Sequence, residues 1–120
     1  MTVYIDDMNA GYGQMVMCHM LADSDDELHA MADRIGVQRK WWQAPDKTSG
    51  SHYDISKGKK ALALAADAVQ ITSRQAAAMN ARRRVTGHLG TPETALEWFR
   101  ENRRRQKSTA DGHSAATTAS

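Results

Sequence analysis

Five histidines and fourteen acidic residues are spread along this chain of 120 residues, and a few of them stand where chemistry could be done. His19 and Asp23 lie four positions apart in C-H-M-L-A-D. His52 and Asp54 lie two apart in H-Y-D-I, His29 follows Glu27 in E-L-H, and Asp6 and Asp7 close the opening V-Y-I-D-D. Imidazole nitrogens and carboxylate oxygens suit zinc and other first-row divalent metals. Asp7, His19, Asp23 and His52 are therefore candidate ligands of a divalent metal ion, although no standard ligand spacing is matched. The same residue types can carry acid–base work. On that reading His19 or His52 is the general base or a ligand, and Asp54 or Asp7 orients it. Each also has a plainer role: His19 as a strand histidine satisfied by a neighbouring carboxylate, Asp6-Asp7 as a turn pair, and His29 as a surface residue paired with Asp25 one turn earlier.

Two further clusters are cationic. Ser56-Lys57-Gly58-Lys59-Lys60 opens a helix. Lysines there oppose the helix dipole, and a phosphate bound at the free N–H groups would explain them. Lys57, Lys59 and Lys60, with His29 and Tyr53, are thus candidate binders of a phosphate-bearing small molecule, against the alternative of three solvated lysines. The stretch does not match a Walker loop. Arg82, Arg83 and Arg84, then Arg103, Arg104 and Arg105, could contact nucleic acid with Trp98 and Phe99 nearby. Aromatic residues make up only 6% of the chain, so a stacking platform is weakly supported, and a solvated helix face is the alternative. Cys18 reads as a buried inert thiol, and Met8, Met15, Met17 and Met20 as core filler.

Composition bounds these readings. The chain has room for one domain. Hydrophobic residues at 41% and charged residues at 25% are ordinary globular values. A mean hydropathy of −0.63 excludes a long apolar span. A single cysteine excludes an internal disulfide framework. The N-terminus reads without a secretory signal, and a cytoplasmic location is expected, in a bacterium or an infected host cell. The net charge of +2 conceals a gradient. Residues 1–36 hold one basic residue against seven acidic ones, whereas residues 82–107 hold eight against three.

The elements that must position the candidates follow from pattern. Thr2–Asp6 reads as a short buried strand, Met8–Gln14 as a loop, and the apolar run Met15–Leu21 as a central strand. Ser24-Asp25-Asp26-Glu27 is a capping box. Leu28, Met31, Ala32 and Ile35 then form one buried stripe, which Gly36 ends. Val37–Gln43 reads as a strand with Trp41 and Trp42 facing opposite ways. Loop residues follow up to the second helix, with His52 and Asp54 among them, and Ser56 caps that helix to about Asp67. Val69–Thr72 reads as a strand, and Ser73 caps a helix over Arg74–Arg84. Thr91-Pro92 opens a last helix, and residues 108–120 are too polar and small to order. The predicted fold is α/β: a small mixed or parallel sheet of about four strands covered by helices, with an appended basic C-terminal helix. The division expected is an α/β domain over 1–80, a basic helical extension over 81–107 and a disordered tail over 108–120.

V-Y-I-D-D, C-H-M-L-A-D, E-L-H-A-M-A, I-G at 35–36, W-W at 41–42, H-Y-D-I and I-T-S-R at 71–74 together resemble a small family of domains of unknown function, numbered 4031, found in bacteria and their phages. The resemblance covers about residues 2–75. It implies that His19, His29, His52 and Asp54, with Asp23, Glu27 and Tyr53, belong to one shared pattern, and that the three histidines and Asp54 converge. It implies no reaction. The function expected is binding of a phosphate-bearing small molecule or nucleotide at a His/Asp site, with metal-assisted phosphoester hydrolysis if the protein is an enzyme. The alternative is a non-catalytic phage accessory protein that binds nucleic acid or a host protein through its basic C-terminal helices.

Overall fold

A computed structural model describes residues 2–8, 10–12, 15–45 and 50–119, with side chains described outside 10–16 and 108–119. The strands are β1 (Val3–Ile5), β2 (Ala10–Tyr12), β3 (Met15–Ala22), β4 (Trp42–Gln43), β5 (His52–Ser56) and β6 (Val69–Gln70). The helices are α1 (Asp25–Ile35), α2 (Lys57–Ala65), α3 (Ser73–Thr86) and α4 (Pro92–Ala119), with one 3-10 turn over Arg39–Trp41. The sheet runs β4-β5-β3-β1-β6, with β2 also paired to β3. Only the β1/β6 pair is parallel among the described strands; the others are antiparallel. The sheet is therefore mixed, and the apolar run of β3 lies at its centre, as its composition predicts.

Period two sorts the side chains of β3 and β5 onto two faces. Cys18, Met20, Tyr53 and Ile55 join Leu28, Met31, Ala32 and Ile35 of α1 and Ala63 of α2 in one core. Leu21 and Tyr4 join Ala76, Met79, Leu89 and Ala95 in a second core, under α3 and α4. Half of the capping box forms: Ser24 Oγ accepts from the Glu27 N–H at 3.2 Å, while the Glu27 carboxylate accepts from the Ser24 hydroxyl rather than from its backbone N–H. Gly36 ends α1 at φ +80°, a conformation that favours glycine. Lys59 Nζ donates to the Ile35 carbonyl at 2.9 Å and so tethers α2 to the end of α1. The appended basic helix is present as α4, and its first turns are seated on the second core through Ala95, Leu96 and Phe99. No described helix is long and apolar enough to cross a membrane.

Several elements differ from expectation. Residues 8–14, expected to be a loop, contain β2. Its ladder with Met15–Met17 is local, and local pairing is invisible to a composition argument. The segment of His52 and Asp54 is not a loop but β5, a full partner of β3. The predicted strand over 37–43 is cut to Trp42–Gln43 by the 3-10 turn before it. Thr72 rather than Ser73 caps α3, since Thr72 and Gln75 form the capping box. The backbone of 108–119, expected to be disordered, continues α4. Extending an existing helix costs no new nucleus, and alanines recur through this stretch.

Candidate metal centre

β3 and β5 pair in a register that sets His19 directly opposite Asp54. His52 stands two residues before Asp54, on the same face, and Gln43 of β4 is its cross-strand neighbour. Four polar side chains from three adjacent strands thus share a patch of sheet surface. The rings of His19 and His52 meet edge to face with centroids 5.1 Å apart. One ligand atom from each of His19, His52 and Asp54 lies within 4.8 Å of the others.

A fifth group comes from a break in strand pairing. β1 and β2 flank the same side of β3, and the chain leaves the ladder between them at Asp6. There the carboxylate replaces a backbone acceptor: Asp6 Oδ1 takes the His19 N–H at 2.8 Å, and Oδ2 binds His19 Nδ1 at 2.7 Å. Asp6 is buried, at 1% exposure. Burial alone would raise its pKa, but the hydrogen bonds from the His19 ring and from the His19 and Met8 N–H groups outweigh it, and the carboxyl sits below its ordinary value. The same bond to Asp6 holds the His19 pKa above its ordinary value, against burial and with help from the Asp54 charge.

These partners fix where the protons are. An ionised carboxylate and a carbonyl only accept. His19 Nδ1 therefore carries a proton toward Asp6, and His52 Nδ1 carries one toward the Gly50 carbonyl at 2.6 Å. In the neutral rings each Nε2 then presents a lone pair. Both face Asp54 Oδ1, at 3.5 Å from His19 and 3.4 Å from His52. Those separations exceed a good charge-assisted hydrogen bond. Gln43 Nε2 donates to the other oxygen, Oδ2, at 2.6 Å, while Oδ1 is buried without any hydrogen-bond partner. Three acceptors converge on one point with no donor between them. A cation there, or a proton on an imidazole, relieves their repulsion.

α3 roofs the patch. Ala76, Ala77 and Asn80 bound a cavity of about 220 Å³ together with Asp6, His19 and His52. Arg83 pins the loop before β5 by donating to the Ser51 carbonyl at 3.1 Å and the Ala22 carbonyl at 3.3 Å, and it also bonds Asn80 Oδ1 at 2.9 Å. Burial lowers its pKa. A Cβ on Gly50 would come within 2.6 Å of Asn80 Oδ1, so glycine lets α3 press onto the segment that orients His52.

The other candidates lie elsewhere. His29 is on the opposite face, where its Nδ1 shares a 2.7 Å hydrogen bond with Tyr53 O–H and its ring meets Trp42. The expected convergence of all three imidazoles is thus corrected to two. Asp23 accepts from the Thr2 N–H at 2.9 Å. Asp7 accepts from the Ser73 N–H at 2.7 Å, at the start of α3, and Asp6, its neighbour, is the residue that orients His19. Ser56 Oγ accepts from the Lys59 N–H. Lys60 Nζ lies 3.4 Å from the Asp6 carbonyl, Lys59 is bound to Ile35, and Lys57 is exposed. The lysines therefore do not form a cradle at the start of α2. Among the arginines Arg82 holds Thr94 and stacks on Trp98, and Arg83 is committed as above. Arg103 stacks on Phe99 and Arg104 pairs with Glu101.

Sequence reasoning missed Gln43, Gly50 and Asn80, and it read Arg83 as a nucleic-acid contact rather than as a residue that holds the segment before β5. Gly50 stands two residues before His52, a signal that was available. The others act through pairing register and helix docking, which carry no local motif. No curated protein and no solved structure matches the chain. A family model for proteins of unknown function, DUF4031, matches residues 3–90. The match runs beyond the expected 2–75 and takes in α3, so it includes every residue that forms or roofs the centre. The chain belongs to the DUF4031 family.

Proposed function

We propose that the protein is a metal-dependent hydrolase whose divalent ion is held by His19 Nε2, His52 Nε2 and Asp54 Oδ1. The observation that carries this reading is the buried Asp54 Oδ1, unpartnered and facing two ring nitrogens whose other nitrogens are tied to acceptors. Unsatisfied buried acceptors are uncommon and costly. The surrounding bonds have the form of a second shell: a carboxylate on one imidazole, a carbonyl on the other, an amide on the carboxylate. Three protein ligands are the number a catalytic site uses, because a fourth position must stay open. A divalent ion there would act as a Lewis acid and lower the pKa of a water it binds. Asp6 then holds His19 in the metal-binding tautomer, and Gly50 does so for His52.

The expected preference for a phosphate-bearing substrate rested on Lys57, Lys59 and Lys60. Two of these reach main-chain carbonyls, which removes most of its support and leaves metal-assisted hydrolysis as the reaction class. Titration with Co²⁺, followed by its visible absorption, tests the reading. Saturation at one equivalent is expected for the parent and a loss of at least tenfold in affinity for His52→Ala. Equal binding by parent and variant overturns it.

A further inference from the structure

Ser73, Ala76, Ala77 and Asn80 of α3 fall at i, i+3, i+4 and i+7 and line the cavity of about 220 Å³ that His19 and His52 also border. A helix face laid over a sheet ordinarily carries large apolar side chains. Here two methyl groups stand in the middle, with a hydroxyl and an amide at the ends. The alanines keep the space open, and Ala77 is exposed at its mouth. At about 30 Å³ per water the space takes about seven waters. That suits one small acyl group rather than a drug-sized ligand.

Two groups bordering the cavity lack partners. His52 is 9% exposed, and its Nε2 has no donor among the described residues. Asn80 Oδ1 accepts from Arg83 at 2.9 Å, and a guanidinium only donates. Asn80 Nδ2 is therefore the other end of the amide, and it meets no acceptor among the described residues. An oriented donor thus stands beside the candidate metal centre. No lysine or arginine is among the described lining residues. Arg83 donates to Asn80 and to two carbonyls, and Lys60 Nζ lies at the Asp6 carbonyl. A phosphoester would find only the ion as counter-charge and would lie beside the Asp6 carboxylate. A carbonyl oxygen needs one Lewis acid and one donor.

We propose that the substrates of the centre are small carboxylic amides or esters, with the carbonyl oxygen on the ion and on Asn80 Nδ2. This rests on the metal-centre reading. In hydrolysis the water oxygen bonds to the acyl carbon, the C–N or C–O bond breaks, and a water proton goes to the leaving nitrogen or oxygen. The amide donor then meets the oxygen on which negative charge grows.

Acetohydroxamate is a carbonyl probe of this size, and azide, which binds the ion alone, is the reference. In the Co²⁺-saturated full-length protein each should change the visible spectrum saturably. Asn80→Ala should weaken acetohydroxamate at least tenfold and azide less than twofold. Ala77→Leu, at the exposed mouth, should also weaken acetohydroxamate at least tenfold. No saturable change with acetohydroxamate, an undiminished affinity in either variant, equal loss of both probes in Asn80→Ala, or methylphosphonate bound as tightly as acetohydroxamate overturns the substrate class. Failure of the parent to bind Co²⁺ is a separate outcome: it removes the metal reading, and the substrate class with it.

Discussion

Asp54 has two oxygens in opposite circumstances: one receives the Gln43 amide, and the other faces lone pairs. A residue kept for a ligand rather than for stability should behave differently in the two assays. Asp54→Asn places an amide where a donor is lacking, so the metal-free variant should be as stable as the parent or more stable by up to about 1 kcal/mol, while its metal affinity falls at least tenfold. Thermal unfolding with and without chelator measures both. Asp6→Asn keeps the shape but removes the charge behind His19, and loss of such an outer partner typically costs about 10–100-fold in metal affinity. The same pair sets a pH window in the metal-free protein. His19 has a raised pKa, so its contribution is full below about 6.5 and is lost as pH rises through the folded value. Asp6 has a lowered pKa, so its contribution is present above its unfolded value of 3.8 and is lost as pH falls through the folded one. Stability from this pair should therefore peak at mildly acidic pH, and His19→Ala should flatten the decline toward alkaline pH in chelator-treated protein. Metal binding displaces the His19 proton and should tighten as pH rises. His19, His52 and Asp54 were legible from residue type, and His19 also from its place near a strand end. Asp6 could not be told from Asp7, because which of two adjacent carboxylates turns inward depends on where β1 leaves the ladder.

The centre is built from pairing register at the scale of elements. β3 brings His19 opposite Asp54, β4 brings Gln43 opposite His52, and the gap between β1 and β2 admits Asp6. α3 then fixes the segment before β5 through Arg83 and Asn80. Arg83→Met leaves the Ser51 and Ala22 carbonyls without that donor and should lower metal affinity several-fold, with the parent's stoichiometry retained; isothermal titration of the metal reads this. α1 was legible in full, because its cap, stripe and terminal glycine are all local signals. β5 was read as loop because H-Y-D-I is short, follows Pro45 and Gly50, and shows its pattern only once β3 is beside it. The lysines of α2 invited a phosphate reading that the docking of α2 against α1 removes, since Lys59 reaches a carbonyl 24 residues away in sequence.

The whole molecule is a mixed sheet with a core on each face, and the centre opens on the face of α3 and α4. The basic gradient toward the C-terminus is real, but its first members serve the fold: Arg83 is half-buried against the Ser51 and Ala22 carbonyls, and Leu89 and Ala95 belong to the second core. Truncation after residue 81 should therefore unfold the protein, whereas truncation after residue 107 should leave the unfolding temperature nearly unchanged; circular dichroism distinguishes the two. The α/β class, the central β3 and the C-terminal helix were all visible in hydrophobic periodicity. The two-faced division of the cores was not, because it depends on which helix lands on which side. Two imidazoles and one carboxylate sharing an ion is the central claim, and it can be tested directly. A crystal of the protein grown with zinc, measured at the zinc absorption edge, should show one strong anomalous peak within bonding distance of His19 Nε2, His52 Nε2 and Asp54 Oδ1. Zinc peaks confined to other residues, with these three side chains bonded only to one another or to water, would contradict it.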